Sequence, residues 1–290
     1  MKAAFYLFFF LGSVSVFGQR LKPSFSKEID EKMHETSGLL FWNNKLWTHN
    51  DDHDTNLYAF DKTSGEIIET IALKNVVNND WESISQDENY IYIGDFGNNV
   101  TGNRTDLHLL RIEKTALMQG IQKIDSIQFR YSDQENFTAR KSNTTDFDGE
   151  AFLVSEDSIF IFSKQWKLKK TSVYGFPKLP GKHIAKLKAT FEVKGLITDA
   201  TILESGNQIL LCGYSKKLKP FLYILSDYNS NDFFSGNKKK IKLKLPFHQI
   251  EGITSDGEKI YLTNEQFARK PFLNIKQQLH ELDLNEIINQ

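Results

Sequence analysis

A short phrase recurs five times in this 290-residue chain, and it opens on Ser37, Glu82, Glu150, Asp199 and Glu251, four carboxylic acids and one hydroxyl. Each copy runs into a turn and an apolar stretch that ends about thirteen residues later, at Asn50, Asp95, Ser163, Gly213 and Asn264. Acids that converge in a dry space repel one another, so protons or a cation must compensate them. Oxygen donors without clustered His or Cys suit calcium, or magnesium, better than zinc. The expected metal ligands are Glu82, Glu150, Asp199, Glu251 and Asn264. Asp95, in the run Gly94-Asp95-Phe96-Gly97-Asn98-Asn99, is an expected catalytic residue whose neighbouring glycines permit tight backbone turns beside a ligand. Arg104 is the second, placed to neutralise developing negative charge. Lys164 is another cation within reach of an anionic substrate group.

The same residues also have an architectural reading. An acid at the start of an inner strand can accept backbone N–H bonds and fix the sheet, and Asp51, Asp52 and Asp54 can form a solvated turn around His53. Trp81 packs between sheets, and Cys212, in Leu-Leu-Cys-Gly, reads as a small buried hydrophobe. Nucleophile-elbow, Walker and dinucleotide-binding patterns are all missing, so no cofactor beyond a cation is expected.

The elements that must position the acids are short strands. Turn signals such as Asn43-Asn44 and Thr63-Ser64-Gly65 divide the first repeat into strands over residues 37–41, 45–49, 56–61 and 66–73. The other repeats divide similarly, but the fifth runs out of chain after residues 278–284. Residues 23–30 precede the first repeat and are predicted to supply the missing strand, which would remove an open edge. The predicted fold is all-β, a five-bladed β-propeller whose inner strands carry the repeated acids to one axis. Six blades are the alternative, because the interval from Glu82 to Glu150 is longer than the others. The alternation Lys240-Ile241-Lys242-Leu243-Lys244-Leu245 fits an outermost strand whose lysines deter edge pairing.

Residues 1–18 have the pattern of an export signal, with Lys2 ahead of an apolar run too short to span a membrane, leaving residues 19–290 as one domain. No Cys stands at the cut to carry a lipid. The expected location is secreted, periplasmic or cell-surface, and the expected state is a monomer without membrane insertion. A formal charge of −1 argues against a nucleic-acid partner. A single cysteine leaves 23 Phe and 10 Tyr to hold the fold by burial.

The sequences Asp80-Trp81-Glu82-Ser83-Ile84, Gly94-Asp95-Phe96-Gly97-Asn98-Asn99 and Arg104 resemble a family of secreted bacterial propeller proteins of largely uncharacterised activity. That family commonly has Asp-Trp-Glu-Asp-Ile, then Gly-Asp-Ile-Gly-Asp-Asn and a nearby Arg. Asp148-Gly149-Glu150-Ala151 and Glu251-Gly252-Ile253 look like its further repeats, while Ser83 and Asn98 depart from its pattern at acidic positions. The resemblance implies the fold and export, with a more distant, topological likeness to calcium-dependent lactonases and phytase-like esterases. Three functions follow as expectations: a metal-dependent hydrolase of small esters, lactones or phosphoesters; a non-catalytic propeller binding a small molecule, partner or glycan; or a glycoside hydrolase using axial carboxylates.

Overall fold

A computed structural model describes residues 20–203 and 207–288; the expected export signal, residues 1–18, lies outside the described residues. Strand β1 (Phe25–Glu28) comes first, followed by four antiparallel meanders. The first is β2 (Thr36–Trp42), β3 (Lys45–Asn50), β4 (Asn56–Phe60) and β5 (Ile67–Ala72). The second is β6 (Trp81–Gln86), β7 (Tyr90–Asp95), β8 (His108–Glu113) and β9 (Ile124–Tyr131). The third is β10 (Gly149–Val154), β11 (Ser158–Ser163), β12 (Thr171–Pro177) and β13 (Gly181–Phe191). The fourth is β14 (Leu196–Ile202), β15 (Gln208–Tyr214), β16 (Pro220–Ser226) and β17 (Asn237–Lys242). After them come β18 (Ile250–Ser255), β19 (Lys259–Asn264), a small hairpin of β20 (Phe267–Arg269) and β21 (Leu273–Ile275), and β22 (Gln278–Asp283).

The last sheet has the order β1-β22-β19-β18, with Phe25 opposite Glu281 and Glu28 opposite Gln278. A strand from near the N-terminus thus completes the sheet that the last repeat begins. The second and third meanders merge into one eight-stranded sheet through a parallel pairing of β13 with β9. The first strands β2, β6, β10, β14 and β18 pack against one another in cyclic order.

Local chemistry explains the strand boundaries. Asn43 and Asn44 both adopt positive φ, 51° and 58°, and close a two-residue hairpin between Trp42 and Lys45. Asparagine tolerates that conformation, and its twist matches the flanking strands. The long interval between Glu82 and Glu150 contains no further meander. It holds a short helix (Lys114–Met118) and an irregular segment over residues 132–148.

Aromatic layers between the sheets form the core. Phe96, Phe129, Phe152 and Phe176 pack between the second and third meanders, with Phe129 stacked on Phe176 at 5.0 Å. Phe160, Phe162, Phe221 and Phe233 do the same between the third and fourth. Full burial of each such ring contributes roughly 1.5–3 kcal/mol. Cys212 is buried and free, within an aliphatic cluster. Lys240 lies on β17, the outer strand of its sheet, with its ammonium 3.7 Å from the centre of the Phe221 ring.

Candidate functional site

Each first strand carries an irregularity at its start, and this places the functional side chains. In β6 the register passes from Trp81 opposite Asp95 to Ser83 opposite Gly94, so Glu82 is the extra, unpaired residue. Glu150 in β10 and Glu251 in β18 are skipped in the same way, and in β2 the skip follows Ser37. A bulge bends the strand and re-aims the extra side chain. Ser37, Glu82, Glu150 and Glu251 all line one cavity of about 500 Å³.

The fourth meander corrects one expectation. Its register passes from Ile197 opposite Gly213 to Asp199 opposite Cys212, so the bulge residue is Thr198 and not Asp199. The residue before the bulge pairs with one 14 positions later in β6, β10 and β18 and 12 positions later in β2, but 16 positions later here. A hairpin two residues longer therefore shifts the thirteen-residue rule onto the wrong side chain. Thr198 Oγ1 donates to the Ile250 carbonyl at 2.6 Å, much as Ser37 Oγ donates to the Glu82 carbonyl at 2.7 Å. Asp199 is fully buried and does not line the cavity. Its Oδ1 accepts from Ser83 Oγ at 2.7 Å and its Oδ2 from the Ile253 N–H at 2.8 Å, which ties β14 to β6 and β18. This is the architectural role open to such an acid. Burial pushes its pKa up to about 8.

A second layer comes from residues at or just past the ends of the second strands. Asp51, Lys164, Tyr214 and Glu265 line the cavity, whereas the preceding Asn50, Asp95, Ser163, Gly213 and Asn264 do not. Side chains alternate along an extended chain, so a step of one residue reverses the face. Asn264 accordingly donates to the carbonyls of Glu265 and Lys276, each at 2.8 Å, and its Oδ1 lies 2.8 Å from His280 Nε2. Asp95 is buried, with Oδ1 accepting from Arg104 Nη2 at 2.6 Å and Oδ2 accepting from the backbone and side-chain N–H of Asn79. Arg104 also binds Asp106 and the Gly97 carbonyl, so the pair pins the loop over residues 95–104. Neither Asp95 nor Arg104 lines the cavity.

A third set lies two residues before the bulges. Asp80 and Asp148 stand at i−2 from Glu82 and Glu150, a spacing that puts both members on one strand face. Oxygens of Glu82, Asp148 and Glu150 all fall within 4.8 Å of one another, and all three residues are buried. The repeated Asp-x-Glu of the sequence was the signal for Asp148. Gly97 makes room for the group: a Cβ there would lie 2.3 Å from carboxyl atoms of both Asp80 and Glu82. Asp148 is oriented by the Asn98 N–H on Oδ1 and by Trp166 Nε1 on Oδ2, both at 2.6 Å. Glu150 Oε2 accepts from Lys164 Nζ at 2.9 Å, while its Oε1 is buried without a hydrogen-bond partner.

The electrostatics follow from this crowding. Glu82 is pushed well above the usual carboxyl range by burial, then by Glu150, Asp80 and Asp148. Glu150 is raised chiefly by burial, against the opposing pull of Lys164. Asp80 reaches about 7 through burial and the charge of Asp148, and Glu265 about 8 through burial and Glu251. Asp51 rises to about 9 through burial and its hydrogen bond with Glu35. Burial alone would lower Lys164, but Glu150, Tyr214 and Glu251 more than offset it and hold the ammonium charged. Lys164 is the ammonium paired with this buried acidic cluster, and the remaining carboxylates need protons or a cation to compensate them.

Successive four-stranded meanders around a common axis, with an acidic cavity at the start of the inner strands, define a β-propeller with an axial polar site. Solved structures similar to this chain include the WD40 repeats of RRP9, at 10% identity and a TM-score of 0.45, covering 91% of this chain and 99% of that one. A catalytically inactive virginiamycin B lyase from Staphylococcus aureus with quinupristin has 10% identity and a TM-score of 0.41, covering 89% and 99%. Extracellular domains 1-2 of Drosophila Semaphorin 1b have 9% identity and a TM-score of 0.37, covering 87% of this chain and 63% of that one. No protein-family model matches the chain, and no curated protein matches it.

Proposed function

We propose that this chain is an exported, five-bladed propeller, closed by pairing of β1 with β22, whose axial cavity binds a divalent cation. The observation that carries the cation reading is the buried trio Glu82, Asp148 and Glu150, with the Glu150 Oε1 atom left without a partner. Three convergent carboxylates and no nitrogen or sulfur donor favour calcium, then magnesium. Glu251 adds negative charge from another wall of the same cavity. Asp199 is outside this donor set because its oxygens do not join the group within 4.8 Å, and Asn264 because its amide serves Glu265, Lys276 and His280.

If the site is catalytic, the reaction is hydrolysis of a small ester, lactone or phosphoester. The cation would supply Lewis-acid polarisation of a substrate oxygen. The chain's own part is to orient Asp148 through Asn98 and Trp166, to hold Lys164 charged beside Glu150, and to keep Glu82 and Glu150 dry. Asp95 and Arg104 act here as positioning residues, by fixing the loop that presents Gly97. The trio's packing within 4.8 Å is tighter than the roughly 6.5–9.5 Å that inverting glycosidases need for water, so a glycosidase reading of these acids is confined to the retaining spacing of roughly 5–5.5 Å.

Calcium-dependent melting tests the proposal. Calcium at about 100 times its Kd stabilises by about 2.7 kcal/mol, at about 2–4 °C per kcal/mol for a domain of this size. The wild type is expected to gain that shift and lose it to a chelator, and Glu150→Gln to show no shift while remaining folded. Equal melting with and without calcium would refute the cation site. Chelator-sensitive turnover in an ester, lactone and phosphoester screen would establish the hydrolase.

A further inference from the structure

The cavity is lopsided in charge, and the asymmetry specifies a ligand class for the cation site proposed above, on which this inference rests. Three of the four meanders and the final sheet bring acids to the cavity, but the fourth meander brings Leu196 and Tyr214. On that side the mouth is bordered by two lysine-rich loops, Lys-Gln-Trp-Lys-Leu-Lys-Lys over residues 164–170 and Ser-Lys-Lys-Leu-Lys over residues 215–219. Lys169 and Lys216 line the cavity together with Lys164. Lys169 Nζ donates to the Trp166 carbonyl, which holds its ammonium at the wall that Trp166 and Lys164 share.

Lys164 is 4% exposed, and Glu150 Oε2 is the one hydrogen-bond acceptor of its ammonium among the described residues. An ammonium has three N–H donors, so Lys164 can hold Glu150 and still donate to a ligand. The rings of Trp166 and Tyr214, centred 4.7 Å and 5.6 Å from its Nζ, shield it from bulk water. Acids that demand a cation and ammoniums that demand an anion thus face each other across one space.

We infer that the cavity binds a phosphate-bearing ligand whose oxyanion bridges a cation at Glu82, Asp148 and Glu150 and the ammonium groups of Lys164, Lys169 and Lys216. A phosphate group supplies three acceptor oxygens and close to two negative charges at neutral pH, enough for both sides. A carboxylate has one charge and two oxygens, and satisfies fewer of these groups.

Calorimetric titration of the full chain with inorganic phosphate, at calcium below the level that precipitates with phosphate, tests this. Calcium affinity is measured separately for each protein, and acetate serves as the carboxylate probe. The calcium-loaded wild type is expected to bind phosphate, to bind acetate more weakly, and to bind phosphate less tightly as salt is added. The double variant Lys169→Gln/Lys216→Gln, which changes only mouth residues, is expected to keep its calcium affinity and lose at least about tenfold in phosphate affinity, the worth of about one charge-assisted hydrogen bond. Calcium binding without phosphate binding overturns the inference and leaves the cation site standing, as does phosphate binding unchanged in the double variant or matched by acetate. Failure of the wild type to bind calcium defeats the cation site, and the bridge with it.

Discussion

Asp199 and Glu150 are both buried acids near the same axis, but their oxygens have different fates. Asp199 finds a hydroxyl and a backbone N–H, whereas Glu150 finds one ammonium and leaves an oxygen unpaired. Satisfied polar groups hold a fold together, and an unsatisfied one calls for a water, an ion or a ligand to meet it. Asp199 also gives the protein a pH dependence whose sign is fixed by its raised pKa. With about 8 in the folded state against 3.8 as the ordinary value, the fold retains a proton that the unfolded chain releases. Its stabilisation is fully present below about pH 4 and is lost as pH rises through about 8. Asp199→Asn mimics the protonated acid: its amide can donate to Ser83 and its oxygen can accept from Ile253. Thermal melts from pH 5 to pH 9 are expected to show the wild type losing stability relative to Asp199→Asn as pH rises. Asp199→Ala, which strands both partners, is expected to cost about 1–3 kcal/mol. Parallel melting curves for wild type and Asp199→Asn across that range would contradict this account.

At the scale of the element, the bulges do the positioning. β6, β10 and β18 each use one extra residue to turn a carboxylate toward the cavity, and the neighbouring strand must accommodate the bend. Gly38 shows the constraint: its φ is +71°, and a Cβ would lie 2.7 Å from the Ile84 N and 2.8 Å from the Ser83 Cα. Gly38→Ala combines a disfavoured conformation with a clash against the backbone of β6. It is expected to destabilise by about 1–3 kcal/mol, read as a lower urea midpoint, and to weaken calcium binding by displacing Glu82. An unchanged midpoint would show that the β2–β6 contact is looser than described. Much of this was legible in the sequence, because recurrence and turn residues located the strands and the acids Glu82, Glu150 and Glu251 of the cavity. Single-residue phase was not. The longer hairpin hid Thr198 behind Asp199, and strand alternation hid Asp51 and Glu265 behind Asn50 and Asn264. Arg104 looked like a free cation, but a lone sequence position cannot reveal that Asp95 and Asp106 already hold it.

At the scale of the molecule, the acids belong to strands separated by up to 169 residues, from Glu82 to Glu251, and only cyclic packing of β2, β6, β10, β14 and β18 brings them together. With no disulfide among the described residues, that arrangement depends on aromatic layers and on β1 completing the last sheet. Removing residues 20–28 would leave the edge of β22 unpaired, and open edges recruit other chains. The truncated protein is expected to melt more than about 5 °C lower, equivalent to about 2 kcal/mol or more, and to associate in a concentration-dependent way by light scattering. A monomer with unchanged melting would show that the sheet does not need β1.

The central claim is that a divalent cation sits between Glu82, Asp148 and Glu150, and its most direct test is anomalous diffraction from crystals of the full chain grown with manganese. The account predicts a single strong anomalous peak within coordination distance of those three carboxylates, absent in Glu150→Gln crystals. A map with no peak there, or with its peak instead at the more exposed trio Glu35, Asp52 and His53, would contradict it.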